Sequence, residues 1–198
     1  MVIKKIAILF SGEGSNLEKL LASLHNQVFE HCQIEVATTI CNRPNAAGIE
    51  KSRSYGIEPL IIDHTLYSSR EAFDKALVKA IIQSGAELTV LAGFMRFLTP
   101  YFTQQIKAIN LHPSLLPLFK GGNAIKESFD SPMKVAGISV HYVSEELDGG
   151  EIIAQRCFEK HEGMSFEDFE AKIHALEHEL LPETVKNLLN RNSNERHS

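Results

Sequence analysis

The stretch IKKIAILFSGEGSNLEKLL, residues 3–21, changes its pattern in the middle. Residues 3–10 end in an apolar run, as a strand covered on both faces does. Gly12-Glu13-Gly14 interrupts the run, and from Ser15 onward the pattern is that of an amphipathic helix over 15–26. A buried strand, a glycine turn and a helix form the first half of a β-α-β unit, so the sheet is expected to be parallel. The same arrangement aims first-turn N–H groups beyond the strand end, where they suit a phosphate monoester held by Gly14, Ser15 and Asn16. A tight turn with a Ser or Asn cap accounts for these residues equally well. Glu13 sits awkwardly beside a dianion, and its carboxylate is expected to point to solvent.

The rhythm continues outward. IEVATTIC (34–41) reads as a strand, residues 44–56 as a helix with Pro44 near its first turn, and EPLIID (58–63) as a short strand. Residues 68–85 form the clearest helix, capped by Ser69, striped by Phe73, Leu77, Ala80 and Ile81, and stopped by Gly85. ELTVLAG (87–93) and AINLH (108–112) are further strands, with a short helix over 99–107 between them. Residues 118–135 show no clean period and read as a partly mobile loop. VAGISVHYV (135–143) and EIIAQRCFEK (151–160) are strands that extend the sheet. Residues 165–190 are a long helix opened by a Ser165/Asp168 capping box and kinked or broken at Pro182. The fold class is therefore α/β, a single-domain doubly wound, mostly parallel sheet over residues 1–190, with 191–198 as a polar, disordered tail.

Composition bounds the partners. The chain has 198 residues and a net charge of −5, large enough for one core and lacking the basic footprint of a nucleic-acid binder. Cys32, Cys41 and Cys157 are scattered without metal-ligand spacing, and no segment reads as a signal peptide or membrane span. A reduced, cytoplasmic protein is expected, with no membrane partner.

Three motifs bear on chemistry. Gly12-Glu13-Gly14 begins a dinucleotide fingerprint, but Leu17 holds the third glycine's place and no acid follows the second strand, which disfavours a dinucleotide. INLHP puts Asn110 and His112 on one side of a strand, at its carboxyl end. An amide can hold a developing oxyanion while an imidazole, titrating near pH ~6.5, moves protons. A structural Asn and a satisfied His remain an alternative. Asp148, before Gly149-Gly150, is either a carboxylate that orients an imidazole or an ordinary turn residue. His174, Glu177 and His178 spell H-x-x-E-H, yet the helix needs its apolar face for the core and further ligands are scarce, so no metal is expected.

SGEGSNL, SREAFD, LAGFMRFLTP, NLHPSLLP, GISVHYV and ELDGG occur in the order and spacing of a known family. The chain resembles the phosphoribosylglycinamide formyltransferases, the folate-dependent glycinamide ribonucleotide transformylases of purine synthesis, over about residues 3–190. The resemblance implies transfer of a formyl group from 10-formyltetrahydrofolate to the amine of glycinamide ribonucleotide, without a metal. It implies Asn110, His112 and Asp148 as the catalytic trio. Gly14, Ser15 and Asn16 would hold the phosphate, with Glu177 and the backbone near His174 at the ribose. Arg70 and Met95-Arg96-Phe97-Leu98 would line the folate pocket, and the turn Ser144-Glu145-Glu146-Leu147-Asp148 would lie against the pterin, beside Asn110.

The departures lie after Pro117, where Lys120 replaces a proline and Asn123 the family's usual histidine. The segment is read as part of a cover over the site. Other readings are a methionyl-tRNA formyltransferase, expected to be longer and more basic, and a formyltetrahydrofolate deformylase, expected to carry an N-terminal regulatory domain. A nucleotide-sugar formyltransferase explains the SGEGSNL loop less well, and a non-catalytic phosphometabolite binder leaves the trio without purpose. The sequence leaves a homodimer open.

Overall fold

In the computed structural model, residues 1–194 are described, with side chains to residue 190. The first strand, β1 (Val2–Phe10), shows why the sheet is covered on both faces. Ile6, Ile8 and Phe10 enter one apolar cluster, and the alternate residues Ala7 and Leu9 enter another. The first cluster lies under α1 (Ser15–Leu24) and α6 (Phe166–Asn194), and the second under α3 (Arg70–Ser84) and α4 (Pro100–Thr103). Each large side chain so buried stabilises the fold by roughly 1.5–3 kcal/mol.

Parallel pairing joins β1 to β3 (Cys32–Cys41) and to β5 (Leu88–Leu91), β5 to β6 (Ala108–His112), and β3 to β4 (Leu60–Ile61). The spatial order of these five strands is β4-β3-β1-β5-β6. The order therefore reverses between β1 and β5, and a doubly wound sheet opens its crevice at the carboxyl ends there. Beyond β6 the sheet turns antiparallel through β7 (Val135–Tyr142) and β8 (Ile152–Glu159). The expected doubly wound, mostly parallel sheet is present.

Several boundaries differ from the sequence reading. A two-residue strand, β2 (Gln27–Val28), pairs antiparallel with β3, and β4 keeps only two residues of the expected 58–63. Pro44 lies outside its helix, because α2 (Gly48–Ser54) starts where the Gly48 N–H reaches the Gly12 carbonyl at 3.0 Å. The segment 118–135 contains a helix, α5 (Ala124–Asp130), whose final carbonyls are gathered by the Lys160 ammonium. Ser165 caps α6 by accepting the Asp168 N–H at 3.1 Å and donating to its carboxylate at 2.8 Å. Pro182 does not break α6, which continues through residues 191–194 of the expected tail; residues 195–198 lie outside the described residues.

Candidate active site

The glycine turn comes first in the chain. Gly14 takes a left-handed conformation (φ 70°), and a Cβ there would stand 2.8 Å from the Gly48 Cα, so only glycine fits. No side chain caps α1, which removes the Ser or Asn cap from the two sequence readings. The first-turn N–H groups of Ser15 and Asn16 are left for water or an anion. Asn16 Nδ2 donates to Glu177 Oε2 at 3.2 Å, and His174 Nδ1 meets the same oxygen at 2.9 Å. Glu177 is buried, and the Asn16 Oδ1 is buried without a partner among the described residues. The hydrogen bond to Glu177 raises the His174 pKa above its ordinary value, against the opposing pull of burial. The H-x-x-E-H segment is thus tied into the glycine turn, and among the described residues no three His, Cys, Asp or Glu side chains gather as metal ligands. Glu13 is exposed and lines a cleft of about 350 Å³ with Gly12, Arg43 and Asn45.

Ser11 and Asn42, given no role in the sequence reading, lie at the carboxyl ends of β1 and β3. Ser11 Oγ donates to Asn42 Oδ1 at 2.6 Å and accepts the Met95 N–H at 2.8 Å. The Asn42 amide in turn meets His64 Nδ1 at 3.2 Å.

The second cluster forms where β6 meets β7. Ile109 and Leu111 turn into the core, so Asn110 and His112 share the other face of β6. The antiparallel register sets Asn110 opposite His141, with Asn110 Nδ2 3.2 Å from His141 Nε2. His141 Nδ1 faces the Tyr142 carbonyl at 2.9 Å, and Nε2 faces Asn110 Nδ2 and the Asp148 carboxylate. Sequence reasoning placed His141 only within the strand 135–143; the period-2 pattern of GISVHYV against AINLH carried the signal.

Asp148 closes the cluster. It adopts φ 48° in the turn after β7, and Gly150 closes that turn against β7, where any Cβ would strike the Tyr142 carbonyl. Its Oδ2 stands 3.4 Å from His112 Nδ1 and accepts the Gly121 N–H at 2.9 Å, while Oδ1 lies 3.6 Å from His141 Nε2. Burial pushes this carboxyl up, but the His141 ring, the Gly121 N–H and the histidine charges together hold it below the ordinary carboxylate value. His112 Nε2 meets the Phe119 carbonyl at 2.8 Å, so both ring nitrogens face acceptors.

The remaining predicted residues lie at the start of α3, in the loop after β5 and in the turn after β7. The Arg70 guanidinium lies over the Phe97 ring at 5.6 Å, and Arg96 over Phe73 at 6.0 Å. Met95 and Phe97 are exposed, whereas Leu98 packs on the second cluster. Ser144 Oγ donates to the Glu146 carbonyl at 3.0 Å, Glu146 pairs with Lys120 at 2.7 Å, and Glu145 accepts from Gln104 at 3.1 Å. Leu147 is exposed. Residues 117–122 therefore bridge the turn at 144–148 and the imidazole of His112.

Comparison with known proteins follows this geometry. The formyl transferase family matches residues 4–185. The phosphoribosylglycinamide formyltransferase of Bacillus subtilis (strain 168) is 38% identical over 96% of this chain and 97% of its own length. The Bos taurus trifunctional purine biosynthetic protein adenosine-3 is 35% identical over 92% of this chain, which spans 18% of that relative. The crystal structure of phosphoribosylglycinamide formyltransferase from Campylobacter jejuni subsp. jejuni NCTC 11168 has a TM-score of 0.93 at 58% identity, over 95% of this chain and 98% of that one. With the switch-point crevice and the Asn110, His112 and Asp148 cluster, these matches show that the chain belongs to the formyl transferase family and, within it, to the phosphoribosylglycinamide formyltransferases.

Proposed function

We propose that this chain, through a domain spanning 1–190, moves the formyl group of 10-formyltetrahydrofolate to the primary amine of glycinamide ribonucleotide in purine synthesis. The observation that carries the reading is the approach of His112 and Asp148 at 3.4 Å beside Asn110, in a crevice bounded by an uncapped helix start.

The substrates divide the crevice. Gly14, Ser15 and Asn16 hold the phosphate by backbone N–H groups. The ribose hydroxyls donate to Glu177 and to the unpartnered Oδ1 of Asn16, with His174 fixing the Glu177 carboxylate. Arg70, Met95, Arg96, Phe97 and Leu98 line the folate subsite, and residues 144–148 meet the pterin. No metal takes part, and neither nucleic acid nor membrane is a partner. No helix among the described residues is long and apolar enough to cross a membrane, and the cytoplasm is the proposed compartment.

The chemistry needs a neutral amine. It attacks the formyl carbon, and a new C–N bond forms while negative charge gathers on oxygen. The Asn110 amide and the His112 ring donate to that oxyanion. The protonated ring then gives its proton to N10 as the old C–N bond breaks and takes up the proton released by the attacking nitrogen, so one proton leaves the amine, one reaches N10 and His112 ends as it began. Asp148 stays ionised, stabilises the imidazolium and holds the ring's orientation. For His112 Nε2 to reach substrate, the Phe119 carbonyl must yield its place.

A transfer assay with 10-formyltetrahydrofolate, with and without glycinamide ribonucleotide, tests the reading. Release of tetrahydrofolate only with the acceptor, together with formylated product, supports it. Release without acceptor assigns a deformylase instead, and no release refutes both.

A further inference from the structure

Between β5 and α4 the chain forms no regular element, and Met95 and Phe97 are 70% and 58% exposed. Such a loop stays ordered only if its ends are held. At the first end, Ser11 takes the Met95 N–H on its hydroxyl and gives its own N–H to the Gly93 carbonyl at 3.1 Å. At the other end, Thr99 gives both its N–H and its hydroxyl to one oxygen, Asp74 Oδ2, each at 2.6 Å. Asp74 stands on α3 with 0% of its surface exposed. The preceding residue, Phe73, stacks on Phe94 with centroids 6.4 Å apart, so adjacent residues of one helix grip both sides of the exposed stretch.

A buried carboxylate is an expensive acceptor for two neutral donors, since an amide would serve them without a charge. Burial raises the Asp74 pKa, and the two Thr99 donors, followed by the charge of Arg96 inside the loop, oppose that rise without cancelling it. The second carboxylate oxygen, Oδ1, and Arg96 Nε are both buried without a partner among the described residues. The acid is therefore coupled to the loop by two hydrogen bonds at Thr99 and by charge at Arg96.

We propose that Asp74 is a positioning residue for the 95–98 loop, with Ser11 as the anchor at the opposite end, and that it sets the shape of the folate subsite without touching substrate. This rests on the reading of 95–98 as folate-binding. Asp74→Ala removes both the acceptor and the charge. Asp74→Asn keeps an acceptor for Thr99 and drops the charge. Thr99→Val removes one donor and leaves the carboxylate in place.

Two measurements decide. Initial rates with both substrates varied should show the KM for 10-formyltetrahydrofolate raised about tenfold or more in Asp74→Ala, as loss of charge-assisted bonds implies, and less in Asp74→Asn and Thr99→Val. The KM for glycinamide ribonucleotide should stay within about twofold of wild type. Amide exchange by mass spectrometry should quicken over residues 95–99 in each variant without spreading to β1 or β6. Equal rises in both KM values, or exchange over 95–99 that matches wild type, overturn the proposal. If Asp74→Ala does not fold, the other two variants carry the same test. A wild-type protein with no formyl transfer overturns the functional reading, and the exchange data still judge whether Asp74 holds the loop.

Discussion

Replacing Asp148 by Asn isolates the charge from the shape. The carboxylate lies 3.4 Å from His112 Nδ1, and both side chains are nearly buried, at 6% and 5% exposure, so salt screens the pair little. Opposite unit charges at that distance attract by about 5 kcal/mol at an effective dielectric of about 20. An amide dipole keeps part of this, so the transition state containing His112 as an imidazolium loses roughly 3–4 kcal/mol, or about 100- to 1,000-fold in kcat. The fold should tolerate the change. Asn adopts left-handed backbone more readily than most residues, which suits φ 48°, and its Oδ1 still accepts the Gly121 N–H. Because Asp148 titrates below its ordinary value of 3.8, its ionised form adds stability above that pH, and the gain is lost as pH falls through the depressed value. The Asn variant should therefore be slightly less stable at neutral pH, by about 1 kcal/mol or less, with the gap closing in acid. The assay is steady-state formyl transfer with urea unfolding alongside. A folded variant with kcat within about tenfold of wild type would refute the electrostatic reasoning.

Three further perturbations address other parts of the site. Glu177→Gln replaces the charged acceptor that raises His174 with a neutral one, so the His174 titration followed by NMR should drop toward 6.5. In the wild type the raised value gives stability that is complete below pH 6.5 and lost as pH rises through the folded value; since His174 is half exposed the effect is small, and unfolding at pH ~6 and ~8.5 should show it shrink in the variant. Lys160→Met strips the ammonium from the Ser128, Phe129 and Ser131 carbonyls, which should cost about 1–2 kcal/mol, lower Tm by about 2–8 °C and speed amide exchange across α5. Gly14→Ala drives a Cβ against Gly48 at 2.8 Å in a left-handed backbone, so the acceptor KM should rise at least about tenfold while the folate KM moves less.

The parallel core was legible because its signals are local. Ile6, Ile8 and Phe10 against Ala7 and Leu9, and Phe73, Leu77 and Ile81 on α3, set their own period without help from distant residues. The short strands were legible only in part: residues 58–63 read as a strand of which only Leu60 and Ile61 pair, and β2 went unread. Leu60 and Ile61 pair only because the end of β3 offers an open edge, and Gln27 and Val28 only because β3 folds back beside them. The same division runs through the site. Asn110 and His112 announce themselves by spacing on one strand, but His141 enters by register across two strands. Ser11 and Asp74 look like an ordinary strand-end serine and helix carboxylate until Met95 and Thr99 arrive beside them.

The segment after Pro117 shows why low periodicity is a poor guide to order. Its conformation is set from outside: the Phe119 carbonyl is taken by His112, the Gly121 N–H by Asp148, the Lys120 ammonium by Glu146, and the end of α5 by Lys160. Each of these partners lies in another element, so no window of sequence within 118–135 contains the information. Two of the partners, His112 and Asp148, are also the groups proposed to do the chemistry. The backbone of 119–121 and the substrate therefore compete for the same hydrogen-bonding atoms, and the contacts to His112 and Asp148 are ones the bound substrates must replace or share. Ordering of this stretch and occupancy of the site are thus coupled through His112 and Asp148, whatever residue stands at 120 or 123.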